Sequence, residues 1–210
     1  TQGTPLKKES IASTWSLTIG RLRNQTSDLQ NLHLSAHLTH ELATGELSAA
    51  NWTLNTGRAK AKGIASESVQ ILGHTSKEAS KDHQLESTIE MVVATSTFQG
   101  SRIDKLQLSG GVLHNGTDWR TAEWYVAAKL EGMTTPWGSA RGAAVEATFN
   151  PLGQSPTLKP EDLGPWARFQ DWTGEMTLSV EAITGERLVA EEWEVALQWE
   201  APTLAIRSIR

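Results

Sequence analysis

An all-β fold is what this sequence predicts: about ten antiparallel strands in up-and-down hairpins, forming a curled sheet or open groove. Two observations predict it. Apolar and polar residues alternate with period two in segment after segment, the pattern of a strand with one buried and one wet face. Turn dipeptides and Gly-containing turns recur between those segments. The clearest case is Gly174 to Glu200. Met176, Leu178, Val180 and Ala182 alternate with Thr177, Ser179 and Glu181, and Trp193, Val195, Leu197 and Trp199 alternate with Glu192, Glu194, Gln198 and Glu200. Thr184-Gly185-Glu186 lies between them, so the stretch reads as a long hairpin, apolar on one side and acidic on the other.

In chain order, Thr1 to Ser13 is a polar lead-in and a strand starts near Thr14, with Trp15, Leu17 and Ile19 in phase. A turn at Asn24–Asp28 leads to Leu32, Leu34, Ala36 and Leu38. Gly45 opens a strand over 47–54, and Asn55-Thr56-Gly57 is expected to turn it before a weaker strand over 64–72. The 75–85 stretch is polar and aperiodic, an expected exposed loop. Strands follow from Thr88 to Phe98, Ile103 to Leu113, Asp118 to Leu130 and Ala143 to Phe149, joined at Gln99-Gly100-Ser101, Asn115-Gly116 and 134–138. Gly110-Gly111 is expected to mark a bulge or bend. The 150–172 insert holds four of the seven prolines and is expected to carry one short helix near Pro160. Leu204 to Ile209 begins another strand. Residues 1–210 thus read as a single β-rich module. With no Met at its start and a strand pattern running to its last residues, it is expected to be a fragment of a longer protein.

The balance of charges, 19 Lys and Arg against 24 Asp and Glu, offers no basic stripe for nucleic acid. The Arg58, Lys60 and Lys62 cluster reads as a solvated strand face. No apolar run approaches the ~20 residues of a membrane-spanning helix. There is no cysteine, hence no disulfide or thiolate metal site. His33 and His37 share a strand face but lie about 13 Å apart at roughly 3.3 Å per residue, and His40 falls on the other face, so no metal or other cofactor is expected. Glu191, Glu192 and Glu194, like Glu161 and Asp162, are neighbours on wet stretches rather than carboxylates set across a cleft. No nucleophile elbow, Walker loop or dinucleotide fingerprint occurs. No catalytic residue is expected.

Nine tryptophans stand against three phenylalanines and one tyrosine. Trp15, Trp52, Trp124, Trp193 and Trp199 fall in phase with Leu and Val and read as core or groove lining. Trp119, Trp137, Trp166 and Trp172 fall at turns or in the Pro-rich insert, where stacking on sugar rings is the other reading.

The segments SRIDKLQLSGGVL (from Ser101), SDLQNLHLSAHL (from Ser27), PWGSARGAAVEATF (from Pro136) and GELSAANWTL (from Gly45) share a style of strand. That style resembles the AsmA-like and TamB-like bacterial envelope proteins. The resemblance implies a periplasmic or cell-envelope protein, anchored by a helix that this sequence does not contain, whose β-groove handles lipid without catalysis. Lipid acyl chains would be the partner and nucleic acid would not. The groove candidates are Leu17, Leu34, Val93 and Leu108 in the first half, and Val126, Val145, Leu178, Val195 and Leu197 in the second. The competing expectation is a carbohydrate-binding or adhesin-like β-sandwich that uses the loop tryptophans.

Overall fold

A computed structural model describes residues 9–77, 84–115, 118–152, 172–200 and 203–210. They form a single antiparallel sheet of eleven strands, one more than the alternation suggests, with no helix among the described residues. The strands are β1 (Ser10–Arg23), β2 (Ser27–Glu41), β3 (Leu47–Ala61), β4 (Ile64–Lys77), β5 (Gln84–Phe98) and β6 (Ser101–Asn115). They continue as β7 (Asp118–Thr135), β8 (Gly138–Pro151), β9 (Trp172–Gly185), β10 (Val189–Glu200) and β11 (Thr203–Ile209). Spatial order equals chain order, so every connection is a hairpin and the sheet does not close on itself.

The turns follow local chemistry. At the β1–β2 turn the Asn24 side-chain oxygen accepts from the backbone N–H of Thr26 (2.8 Å) and Ser27 (2.7 Å). Lys62-Gly63 and Gln99-Gly100 each place two successive residues at positive φ, 46° and 86° in the first pair and 47° and 82° in the second. That is the two-residue hairpin turn whose twist matches the flanking strands.

Several boundaries differ from the sequence reading. Asn55-Thr56-Gly57 is not a turn: it lies inside β3, which runs on to Ala61 before turning at Lys62-Gly63. Much of the expected 75–85 loop is strand, since Thr75, Ser76 and Lys77 pair with Ser87, Glu86 and Leu85. Gly110-Gly111 is not a bulge, for both residues pair in register with β5 and β7. A glycine is needed at 111 for another reason: a Cβ there would lie 2.1 Å from the Tyr125 ring. Trp52 lies over Gly73 and Phe149 over Gly174 in the same way, at 2.0 and 2.5 Å from a notional Cβ. These glycines make room for a ring from the neighbouring strand. The helix expected near Pro160 lies outside the described residues.

The real irregularity is one that crosses the whole sheet. Asn31 on β2, Ser68 on β4, Lys105 on β6, Gly142 on β8 and Glu192 on β10 all have left-handed backbones, with φ of 56°, 51°, 48°, 60° and 52°. The regular pairings on both sides of them place all five in one row, facing Gly20, Gly57, Ala94, Glu131 and Glu181 of the odd strands. An extended residue turns the next side chain to the opposite face, and a left-handed one does not, so alternation slips by one position here. On β8, Ala140 precedes the row and Ala143, Val145, Ala147 and Phe149 follow it on the half-buried side. On β6 the switch runs from Ile103 to Leu106 and Leu108, and on β2 from Leu29 to Leu32 and Leu34. The register of the neighbouring strands is unchanged across the row, so the slip keeps a single face apolar from one end of the strands to the other.

A left-handed non-glycine costs roughly 1 kcal/mol that glycine avoids. Ser68→Gly should therefore raise the unfolding free energy by up to about 1 kcal/mol, while Gly in the regular part of a strand, as in Ser35→Gly, should lower it by roughly 0.5–1 kcal/mol. Thermal or urea melting of the two variants checks the pair of opposite signs.

Candidate functional site

The apolar face is built row by row from the strand pairing. Its central row runs through Leu17, Leu34, Leu54, Ile71 and Met91 on β1 to β5. It continues through Leu108, Ala128, Val145, Leu178, Val195 and Ile209 on β6 to β11. The row beside it joins Ile89, Gly110, Val126, Ala147, Met176 and Leu197 on β5 to β10. On the other side lie Val69, Val93, Leu106, Leu130, Ala143 and Val180. All nine residues expected to line a groove, Leu17, Leu34, Val93, Leu108, Val126, Val145, Leu178, Val195 and Leu197, thus fall on one face of one sheet. So do the in-phase tryptophans, Trp15, Trp52, Trp124, Trp193 and Trp199.

Burial on this face is partial. Val93 is 4% exposed and Val195 7%, each crowded by its cross-strand neighbours. Val126 is 47% exposed, Leu17 51% and Trp15 66%. No described element covers the face, because every described strand belongs to the one sheet. A fourth row runs through Leu38, Ala50, Val112, Trp124, Phe149 and Trp199, and ten inter-strand spacings of about 4.8 Å with four alternating rows give the face roughly 48 by 20 Å, or about 1,000 Å². Ordinary monomers rarely expose a contiguous apolar patch beyond roughly 300–600 Å². Across those rows the side chains are Leu, Ile, Val, Met, Trp, Phe, Ala, Gly, Ser and Thr, and none carries a charge.

Ionisable groups sit at the rim and on the opposite face. At one end of the strands Lys77 bridges Glu46 at 2.7 Å and Glu41 at 3.6 Å, and the hydrogen bond from Lys77 to Glu46 holds the ammonium pKa above its usual value. On the polar face Lys105 pairs with Glu131 (2.7 Å), Lys129 with Glu146 (3.1 Å) and Arg141 with Glu181 (3.5 Å). A shallow depression of about 780 Å³ lies over Gln107, Lys129 and Ser179 and also takes in Lys105 and Glu131. The ion pairs of Lys105 with Glu131 and of Arg141 with Glu181 thus set these charges of the left-handed row and of the residues facing it on the polar side. These pairs are well exposed and each is worth at most about 1 kcal/mol.

Three of the histidines hydrogen-bond to a side chain of the neighbouring strand. His33 Nδ1 lies 3.0 Å from the Thr18 hydroxyl, His37 Nδ1 lies 3.0 Å from that of Thr14, and His74 Nδ1 lies 2.6 Å from Asn51 Oδ1. His40 falls on the opposite face from His33 and His37, opposite Ile11. No group of three or more His, Asp or Glu able to hold a metal ion occurs among the described residues. Glu191 and Glu192 are exposed, and Glu194 pairs across the sheet with Ser179 on the polar side. Of the other tryptophans, Trp137 stands 79% exposed at the β7–β8 turn, and Trp172 donates its indole N–H to the Ala122 carbonyl at 3.1 Å. Trp119 is the second residue of β7, and Trp166, Glu161 and Asp162 lie outside the described residues. Sequence reasoning missed the left-handed row and the stretch of apolar face beyond it, Leu29, Ile103, Met133 and Ile183 among others. The available signal was the phase slip inside each strand.

Among the described residues no helix is long and apolar enough to cross a membrane. No protein-family model matches the chain, and neither the curated proteins nor the solved structures contain a match to it.

Among the described residues, His33, His37 and His74 meet a Thr or Asn side chain rather than a cluster of metal ligands. Zinc or a chelator added to the purified chain should accordingly leave its melting temperature unchanged, and elemental analysis of protein prepared without a histidine tag should find no stoichiometric metal.

Proposed function

We propose that this chain is a non-catalytic module of the bacterial cell envelope whose apolar sheet face holds lipid acyl chains. The AsmA-like style of its strands suggests the envelope setting. The observation that carries the reading is the charge-free face of about 1,000 Å² spanning all eleven strands, with its ionisable groups kept to the rim and the other side. A face of this kind suits a ligand that is long, flexible and wholly apolar, because it offers area and few directional groups. Each methylene taken from water contributes about 0.8 kcal/mol, so a chain laid along several strands gathers useful affinity without a specific contact. Curling of the sheet around its apolar side would form the groove. The carbohydrate-binding sandwich needs a second sheet opposite the first, and the described residues supply one sheet only.

Leu197→Asp tests the reading. It puts a carboxylate between Trp193 and Trp199 on the clearest hairpin. On an open face the charge stays wet, so the fold survives with a modest loss. Binding of a fluorescent fatty acid then weakens by about tenfold, the equivalent of two lost methylene contacts. Val126→Asp, at a position 47% exposed, should behave alike. In a closed sandwich core the buried carboxylate would cost several kcal/mol and unfold the chain. Unfolding of the variant, together with no fatty acid bound by the parent, would reject the proposal.

A further inference from the structure

The strand pairing sets five turns at one level. Ser27, Ala61, Ile64, Phe98 and Ser101 form one row of the register. Thr135, Gly138 and Gly185 continue it at the same height, since Arg102 pairs with Thr134. The turns β1–β2, β3–β4, β5–β6, β7–β8 and β9–β10 therefore make one front at one end of the strands, about 43 Å long over nine inter-strand spacings. Its β1–β4 half is cationic. Arg23, Lys60 and Lys62 are exposed and line a depression of about 450 Å³ beside the Asn24–Ser27 turn. None of the three forms an ion pair among the described residues. Asp28 also lines the depression, and Arg21 holds its carboxylate through two hydrogen bonds. The β7–β10 half is apolar. Trp137 is 79% exposed and Leu188 58%, and with Met133 and Ile183 they border a second depression of about 400 Å³. Ile64 and Phe98 stand exposed between the two halves.

The opposite end of the strands has the opposite charge. Glu9, Glu41, Glu46, Glu86, Glu175 and Glu200 lie there, with Lys77 set between Glu41 and Glu46. A chain of net charge −5 thus gathers unpaired cations at the end where it also exposes an aromatic ring and aliphatic side chains. We infer that the five-turn front is a docking edge and that its partner is the surface of an anionic lipid bilayer, met by the turns with the strands rising from it. Lys and Arg are attracted to anionic headgroups. Trp and short apolar side chains suit the boundary between headgroups and acyl chains, where one side is apolar and the other wet. The acidic far end is repelled by the same surface, which fixes which end docks. A soluble polyanion would satisfy the cations but leave Trp137 and Leu188 in water. The contact rests on the turns, so it is independent of whatever the apolar face holds.

Cosedimentation of the chain with lipid vesicles tests it. Vesicles of phosphatidylcholine with about a third phosphatidylglycerol should bind the chain, and phosphatidylcholine alone should not at the same lipid concentration. Salt that shortens the screening length to about 3 Å should release most of the bound protein. Arg23→Gln, Lys60→Gln and Lys62→Gln together should weaken binding about a hundredfold, as three cations taken from an anionic surface predict. Trp137→Ala should weaken it at least about threefold. Lys105→Gln, Lys129→Gln and Arg207→Gln together remove the same charge away from the turns and should bind as the parent does. Leu197→Asp should also bind vesicles as the parent does, which separates this contact from fatty-acid binding on the apolar face. Thermal melting accompanies each variant. If the turn variant fails to fold, Lys62→Gln with Arg187→Gln, on two different turns, replaces it with an expected loss of at least about tenfold. A parent that ignores anionic vesicles, or binds phosphatidylcholine equally well, overturns the inference. So does a turn variant that binds as the parent does, a control variant that loses as much, a Leu197→Asp chain that no longer binds, or a tighter hold on heparin than on vesicles.

Discussion

The whole sheet depends on a single row of backbone. Strict alternation over strands of 12 to 18 residues would keep the apolar set on one face only if each sequence held one phase throughout. These sequences do not. On β6, Ile103 is one position out of phase with Leu106 and Leu108; on β10, Ala190 is out of phase with Trp193 and Val195. Without correction, half of each strand would turn its apolar residues into the polar side. The left-handed residues at 31, 68, 105, 142 and 192 reconcile the two phases at one height on every even strand. The correction is cooperative across strands: a slip on one strand alone would break pairing with its neighbours, and pairing is what holds a one-layer sheet together.

The residue types in that row follow from its geometry. Left-handed backbone favours Gly and Asn, which explains Gly142 and Asn31. At Gly142 there is a second reason, since a Cβ would lie 2.2 Å from the Glu181 side chain. Ser68, Lys105 and Glu192 accept strain, and what they have in common is a polar side chain that can stand in water. The row residues turn toward the polar face, where Lys105 meets Glu131. A large apolar residue there would gain nothing from burial. The row thus separates two apolar panels while leaving no charge between them.

Much of this was legible in the sequence and some of it was not. Fold class and the hairpin order were, because alternation and turn dipeptides are local signals; Gly174 to Glu200 was read to within a residue or two as β9 and β10. The shared face of Leu17, Leu34, Val126 and Val195 was legible too, since parity alone assigns it within each strand. Gly57 misled, because a glycine after Asn and Thr looks like a turn, whereas it faces Ser68 across the slip and a Cβ on it would press on Asn31 at 3.2 Å. Gly110-Gly111 misled in the opposite sense: one glycine there makes room for Tyr125 and neither marks a bend. Both glycine misreadings arose where the residue answers to a neighbouring strand, which a single strand's sequence does not display.

A one-layer sheet has an incomplete energy balance, and that shapes its function. Folding into eleven paired strands satisfies the backbone but leaves the apolar side chains only partly removed from water; Val93 is shielded while Val126 and Trp15 are not. Independent sheets ordinarily bury that face against a helix layer or a second sheet. Under the proposed function, the missing layer would be supplied by an occupant. Anything that covers the face binds the folded state and not the unfolded chain, so it adds to stability by mass action. Binding and folding are then linked through the same rows of Leu, Ile and Val. The polar face contributes little to this balance, since its ion pairs are exposed and screened. The two sides of the sheet therefore differ in kind: one carries the charges, and the other carries the hydrophobic area that the proposed occupant would cover.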